Sequence, residues 1–488
     1  MNILHSILIL LPLIITIYIS IRKKKVILAL YLGVISGIVI LSSFNLIKAL
    51  NTFFGEYLIN ELTDSYNAGV IILIVFISGF IALIEYSNGA FSFAQKISLI
   101  LNTKIKAQLL AYFFGILIFF SDLGTPLIVG PVFSPIFDKM KIARVKLAYI
   151  IDSTASPMAI LIPFTGWGIY IMSLIDEQIN SGIIKGDSFN IFVHAIGFEF
   201  YSVLAVIMVP LIIFLNIELF SMKKAQNNLE KQEKKHYSSE NKEGKASYLI
   251  IPILILFLIL IVGLYLMGFP FEPLDGAKFR VVLSSAYFIA AFSVILLMTV
   301  NGKKLMELYN VYLDGMKGSI EMIIILIGAW ALSDVVTSLG TTDLIINFLD
   351  GSIPIFLYPA LIFITGTLLS STTGSSWGTM AILMPFALGI FSISNIDPSI
   401  LVGAVLSGSL FGDHLSPLSD TTIFSSKGCD IQLLDHVYTQ LPYGCINALV
   451  SLLCFIGLGI YPSYIWLLIA IVLSALLFLS VNKFQKNK

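Results

Sequence analysis

Charge is what this chain has least of. Asp, Glu, Lys and Arg make up 12% of its 488 residues, about half the share of a soluble domain. The 29 basic and 29 acidic residues cancel, which removes the electrostatic footprint of a nucleic-acid binder, and no basic run is interleaved with aromatics as a single-strand binder needs. Cysteine is also scarce. Cys429, Cys445 and Cys454 have no CxxC spacing and lie in one late stretch, so neither a disulfide framework nor a zinc site is indicated. No GxxxxGK followed by Ser or Thr occurs, and no hydrophilic stretch has the size of a nucleotide-hydrolysing domain, which excludes a primary pump built from this chain alone. Basic residues are missing from the interior of every long apolar run.

What remains is 57% hydrophobic with a mean hydropathy of +0.95, the composition of an all-α polytopic membrane protein. Uninterrupted apolar runs cover 3–20, 26–47, 69–86, 191–219, 248–267, 281–300, 318–338, 437–460 and 464–482. The first resembles a signal peptide in length. Its basic cluster, Arg22 to Lys25, follows the apolar part and no small-residue cleavage site is present, so it reads as a retained helix.

Of the 29 Lys and Arg residues, 25 fall in 22–25, 96–106, 139–146, 223–245, 303–317, Lys427 and 483–488. Assigning these regions to the cytoplasm places the amino terminus outside and the carboxyl terminus inside. Residues 109–136 then enter and leave on the cytoplasmic side, as a re-entrant hairpin turning at Ser121 to Pro126. Residues 354–390 form a second hairpin, opened the opposite way, turning at Ser371 to Thr379. Each hairpin precedes a segment interrupted by a Ser-Pro with a nearby Asp, 146–175 and 399–424, which reads as a discontinuous helix because proline removes a backbone donor. The expected architecture is therefore an inverted repeat with about 11 transmembrane helices, two of them discontinuous, and two re-entrant hairpins. The halves are 1–220 and 248–488, joined by a hydrophilic cytoplasmic linker, 221–247.

Irregular backbone and carboxylates at membrane depth mark an ion or substrate path. The interruptions supply Asp122, Asp152, Asp413 and Asp420, with the hydroxyls of Thr125, Ser153, Thr154, Ser156, Thr373, Ser375, Ser376, Thr379, Ser416 and Thr421, and Gly124 and Gly374 for close backbone approach. An alkali cation is hard and takes oxygen ligands of this kind. Na+ is expected at Asp152 and Asp413. Proton and sodium compete for one buried carboxylate, so Asp152, Asp413 and His414 form the expected proton relay. Asp122 and Asp420 have an alternative as helix caps, and His414 as a hydrogen-bonded structural residue. Glu199, Asp334 and His194 read as helix-end residues at the interface, and Glu85 is the further acid to test. Trp167 and Trp377 read as packing.

The strings Thr373-Gly374-Ser375-Ser376-Trp377-Gly378-Thr379 and Gly412-Asp413-His414-Leu415-Ser416-Pro417-Leu418-Ser419-Asp420-Thr421-Thr422 resemble the signature of NhaC-type sodium/proton antiporters, within the wider ion-transporter superfamily. The first-half string Leu147 to Pro157 is similar to the matching region of that family's relatives. Many of those relatives carry two adjacent acids at the first hairpin, where this chain has Ser121-Asp122. The resemblance implies a homodimeric antiporter of the bacterial inner membrane that moves a hairpin-bearing domain against a scaffold, with sodium ions, protons and the lipid bilayer as partners and no cofactor. Relatives also include exchangers of organic acids, so the competing expectation is a sodium- or proton-coupled carrier of a small organic anion or amino acid. The lack of a membrane-embedded Arg or Lys favours the inorganic cation. A channel needs no inverted repeat of broken helices.

Overall fold

In the computed structural model, which describes residues 3–23, 25–98, 103–229, 244–268, 276–340, 344 and 353–486, the chain is helical throughout, with no strand among the described residues. The principal helices are α1 (Ile3–Lys23), α2 (Val26–Leu41), α3 (Ser65–Tyr86), α4 (Lys104–Leu117), α5 (Gly124–Lys139), α6 (Arg144–Asp152), α7 (Ser156–Ala159), α8 (Gly166–Asn180), α9 (Ser188–Ile196) and α10 (Phe200–Phe214). They continue with α11 (Ser247–Leu266), α12 (Gly276–Val300), α13 (Leu305–Gly318), α14 (Ile320–Ser338), α15 (Tyr358–Thr373), α16 (Ser376–Gly389), α17 (Pro398–Leu415), α18 (Asp420–Gly428), α19 (Leu433–Ile460) and α20 (Ile465–Lys486). Short helices join some of these. Residues 230–243 of the expected linker lie outside the described residues.

Among the described residues, seven helical stretches are long and apolar enough to cross a membrane, or up to nine if each of two bent pairs is one span. The chain is therefore a multi-pass membrane protein. Its periphery and centre differ in the way a bilayer demands. On α11, Leu254, Leu258, Ile261 and Leu266 are exposed, whereas α17 is buried along almost its whole length and packs against α9, α10, α15, α16 and α19. Apolar side chains facing outward carry no penalty in lipid. The centre is where polar residues can be held.

Local chemistry sets the helix ends. Thr103, Thr165, Asp187, Ser375 and Asp397 each accept from a backbone N–H of the first turn they open, satisfying donors that have no partner inside the helix. Pro157 and Pro398 occupy first-turn positions, where a missing N–H costs nothing.

Three expected helices differ in detail. The run 26–47 stops at Leu41 because Ser43 and Phe44 adopt left-handed backbone. The run 146–175 is broken twice, giving α6, α7 and α8. The run 191–219, expected to be continuous, bends by 44° between α9 and α10. There Gly197 lies under the Tyr464 ring, where a Cβ would come within 2.6 Å, and Glu199 opens α10 from a non-helical conformation.

Candidate functional site

Two helix pairs meet at polar turns. Between α4 and α5, the Ser121 hydroxyl accepts from Gly124 N–H and donates to Glu85 Oε1, both at 2.9 Å. A Cβ on Gly124 would lie 2.2 Å from that same Glu85 oxygen. Thr125 turns its hydroxyl back to Ser121 and Ile118 carbonyls. Between α15 and α16, Gly374 takes φ +67°, a conformation that costs glycine nothing, and lies against Leu418. Ser375 caps α16, and Thr379 bonds back to the Ser375 carbonyl.

Both turns reach one cavity of about 850 Å³. Its walls include Asp122, Asp413 and Asp420, the hydroxyl residues Thr373, Ser375, Ser376, Ser419 and Thr421, the backbone of Gly374, and the indoles of Trp167 and Trp377; Lys25 and Glu321 are exposed residues on it. Three of the four predicted acids thus share one space. Ser376 Oγ comes within 3.4 Å of Asp413 Oδ2, and Thr421 Oγ1 lies 3.0 Å from Ser419 Oγ. Trp167 donates from Nε1 to Asp122 Oδ2 at 3.1 Å. The two indoles pack with ring centroids 4.1 Å apart, so they bridge the two polar turns and also face the cavity.

Asp152 is elsewhere. It is wholly buried and does not line the cavity. Gln440 donates from Nε2 to its Oδ2 at 2.7 Å and to the His414 carbonyl at 2.7 Å, and Ser425 donates to Oδ1 at 3.1 Å. Two imidazoles complete the cluster, with His414 Nε2 at 3.3 Å and His436 Nε2 at 3.4 Å from Oδ2. His414 Nδ1 lies 2.8 Å from the Tyr201 hydroxyl. The expected sodium ligands Asp152 and Asp413 therefore sit on two sides of His414, one enclosed and one on the cavity.

The remaining predicted residues are buried off the cavity. Thr154 bonds back to the Ile150 carbonyl and fits against Gly115, where a Cβ would come within 1.9 Å of its hydroxyl. Ser416 donates to the Ser371 carbonyl at 3.0 Å. Ser153 and Ser156 are enclosed near the breaks of α6 and α7. Sequence reasoning missed His436, Gln440 and Ser425. His436 and Gln440 stand four apart on one face of α19, a polar pair opening an apolar run, and that spacing was the available signal.

An ion-pair cluster ties α6 to the segment after α18. Arg144 pairs with Asp138 at 2.6 Å and Asp430 at 3.2 Å, and donates to the Cys429 carbonyl. This planar fork joins the start of α6 to the end of α18.

Comparison with known proteins gives the chain its place. An uncharacterised protein of Haemophilus influenzae is 29% identical over 92% of this chain and 90% of its own length. The Na+/H+ antiporter NhaC of Alkalihalophilus pseudofirmus is 33% identical over 30% of this chain and 33% of its own. Among solved structures, the YdaH transporter of Alcanivorax borkumensis superposes with a TM-score of 0.59 at 13% identity, over 84% of this chain and 88% of that one, a likeness of fold. The family model described as Na+/H+ antiporter family matches residues 158–460, more than half of the sequence: the chain belongs to that family.

Proposed function

We propose that this chain exchanges Na+ for H+ across the bacterial inner membrane by alternating access, with the amino terminus outside and the carboxyl terminus in the cytoplasm. One observation carries the reading. Successive residues of α17 serve two environments, Asp413 on the cavity and His414 against Asp152.

Sodium entering the cavity meets the Asp413 carboxylate, with Ser376, Ser419 and Thr421 hydroxyls and Asp420 beside it, an all-oxygen set suited to a hard cation. The proton is held in the Asp152, His414 and His436 cluster. Positive charges on successive residues of one helix, about 6 Å apart, repel by about 3 kcal/mol at an effective dielectric of about 20, roughly a hundredfold in occupancy. Loading one site with Na+ thus expels the proton from the other, and reorientation with either bound gives exchange.

In this reading residues 1–220 and 248–488 form an inverted repeat, and the hairpin-bearing part moves against the remaining helices as a scaffold. Each half contributes a re-entrant hairpin, α4 with α5 and α15 with α16, and a broken helix, α6 to α8 and α17 with α18. The polar turns at 118–123 and 374–375 and the breaks at 153–155 and 416–419 support this assignment. The working unit is a homodimer with no cofactor.

Everted vesicles carrying a pH-sensitive dye test it. Sodium is expected to alkalinise the lumen-facing pH signal in wild type, and D152N and D413N to lose about tenfold or more of that response. Absence of any sodium-dependent proton flux across about pH 6 to 9 sinks the reading. The volume of the cavity and its paired indoles favour, as a second reading, a sodium- or proton-coupled carrier of a small organic anion or amino acid; uptake of labelled solutes with and without a sodium gradient separates the two.

A further inference from the structure

Glu199 is the most deeply buried glutamate among the described residues, and the exchange mechanism above does not use it. It opens α10 at the 44° bend after α9, a helix end as expected, and it is fully enclosed by protein. Neither carboxyl oxygen has a well-formed hydrogen-bond partner among the described residues; Ser202, a turn further along, is the polar group beside it. A carboxylate buried in apolar surroundings without a counter-charge is costly to keep ionised. The group therefore carries a proton or receives a cation.

The surroundings decide between these. Phe198 fills the space over Gly403 of α17, where a Cβ would come within 2.7 Å, and stacks on Tyr464 at 4.6 Å. The titratable side chains on this side of the fold include His194 on α9, Tyr464 ahead of α20 with Asp397 near it, Tyr201 on α10 and His414 on α17, and neither Glu199 oxygen bonds to any of them. Neighbouring α4, α7, α19 and α20 bring no charge against it. Among the described residues the side chains at hand are one hydroxyl and aromatic rings, too few oxygens to cage a metal cation, which leaves the proton as the occupant. Tyr201, two residues on, joins this bend to His414 at 2.8 Å and so to the Asp152 cluster. Ser407, one turn beyond Gly403 on α17, is fully buried with its hydroxyl unpartnered, which adds a polar step along the same seam.

We propose that Glu199 is a second proton-carrying site of the transport cycle, distinct from Asp152 and Asp413 and coupled to them through the α10–α17 contact at Tyr201 and His414. The assignment rests on the proton-coupled reading of transport, not on the identity of the other solute. In the packed bend the carboxyl is neutral. When its O–H bond breaks and the proton passes to water, the charge left behind requires the bend between α9 and α10 to open, and Tyr201 carries that movement to His414.

Infrared difference spectra of the purified full-length protein, recorded across about pH 5 to 9 in H2O and D2O, test this directly. Wild type is expected to show a neutral-carboxyl C=O band, isotope-shifted in D2O, that titrates and is missing from E199Q. In vesicles, E199Q is expected to lose about tenfold or more of the proton-coupled flux, and E199D to restore flux with a displaced pH profile. E199D also serves if E199Q does not fold. A band that titrates in a protein showing no sodium-driven flux supports the Glu199 site while removing sodium as the exchanged ion. A band in wild type that stays constant over the whole range, or pH profiles identical in wild type and E199Q, overturns the proposal.

Discussion

His436 has no exposed surface, and its Nε2 faces Asp152 at 3.4 Å. Two imidazoles on one carboxylate allow the cluster to keep a proton while either ring rearranges. H436Q keeps a donor near Asp152 but loses the charge, so its stability is expected to stay within about 1 kcal/mol of wild type. Exchange in H436Q is expected to fall and its pH profile to move; flux measured at matched protein levels checks this, and superimposable pH profiles would show His436 to be structural. A second acid speaks to stability. Glu61, in the short helix Ile59–Thr63 before α3, is pushed up to about 9 by burial, with Glu177 and Asp334 adding to the effect. The folded protein then holds a proton that the unfolded chain releases above about pH 4.3. The contribution is full below that value and is lost as pH rises toward 9. Thermal unfolding in detergent should show wild type losing more stability than E61Q between about pH 5 and 9, and parallel curves would refute the linkage.

At the scale of elements, α5 and α18 approach backbone to backbone. A Cβ on Gly130 would come within 2.4 Å of the Gly428 carbonyl carbon, and one on Gly428 within 2.2 Å of the Pro126 oxygen. Small residues permit such an approach, and in lipid this packing replaces the hydrophobic drive available in water. Since α5 begins at the polar turn where Ser121 bonds to Glu85 of α3, forcing these helices apart displaces the turn from the cavity. G428A is expected to cost about 1–3 kcal/mol through overpacking and to abolish exchange. Unchanged thermal unfolding together with unchanged vesicle flux would show the approach to be dispensable. The same elements indicate what a linear reading captures. Breaks at Asp152 to Pro157 and Leu415 to Asp420 were legible because Pro, Ser and Asp in an apolar run leave backbone groups that a helix cannot satisfy. The bend at Gly197 was not. At that bend Gly197 lies against the Tyr464 ring, some 270 positions away in the chain and invisible to local pattern, and the enclosure of Glu199 beside it was equally out of reach. His436 and Gln440 were missed because an isolated polar pair at the head of a helix looks solvated until Asp152 is brought against it.

For the molecule as a whole, the membrane class and the helical plan followed from hydropathy and from the scarcity of charge, because a bilayer constrains both more tightly than water does. The state of the cavity could not follow from either, since it depends on how the packed helices stand relative to one another. Lys25 and Glu321 are exposed on its wall, and both lie next to basic regions assigned to the cytoplasm, 22–25 and 303–317. The cavity is therefore expected to open inward. Leu418 is 39% exposed and packs over Gly374, so L418C, with Cys429, Cys445 and Cys454 replaced by serine, places one thiol beside the second polar turn while preserving its Cβ. A membrane-impermeant maleimide is expected to label it in everted vesicles and not in intact cells, and sodium should slow the reaction by occupying the same wall at Asp413. Faster labelling from outside would reverse the orientation and, with it, the assignment of the basic regions. Labelling from the cytoplasmic side that sodium leaves unchanged would retain the orientation and move the ion away from Asp413, toward the enclosed Asp152 cluster.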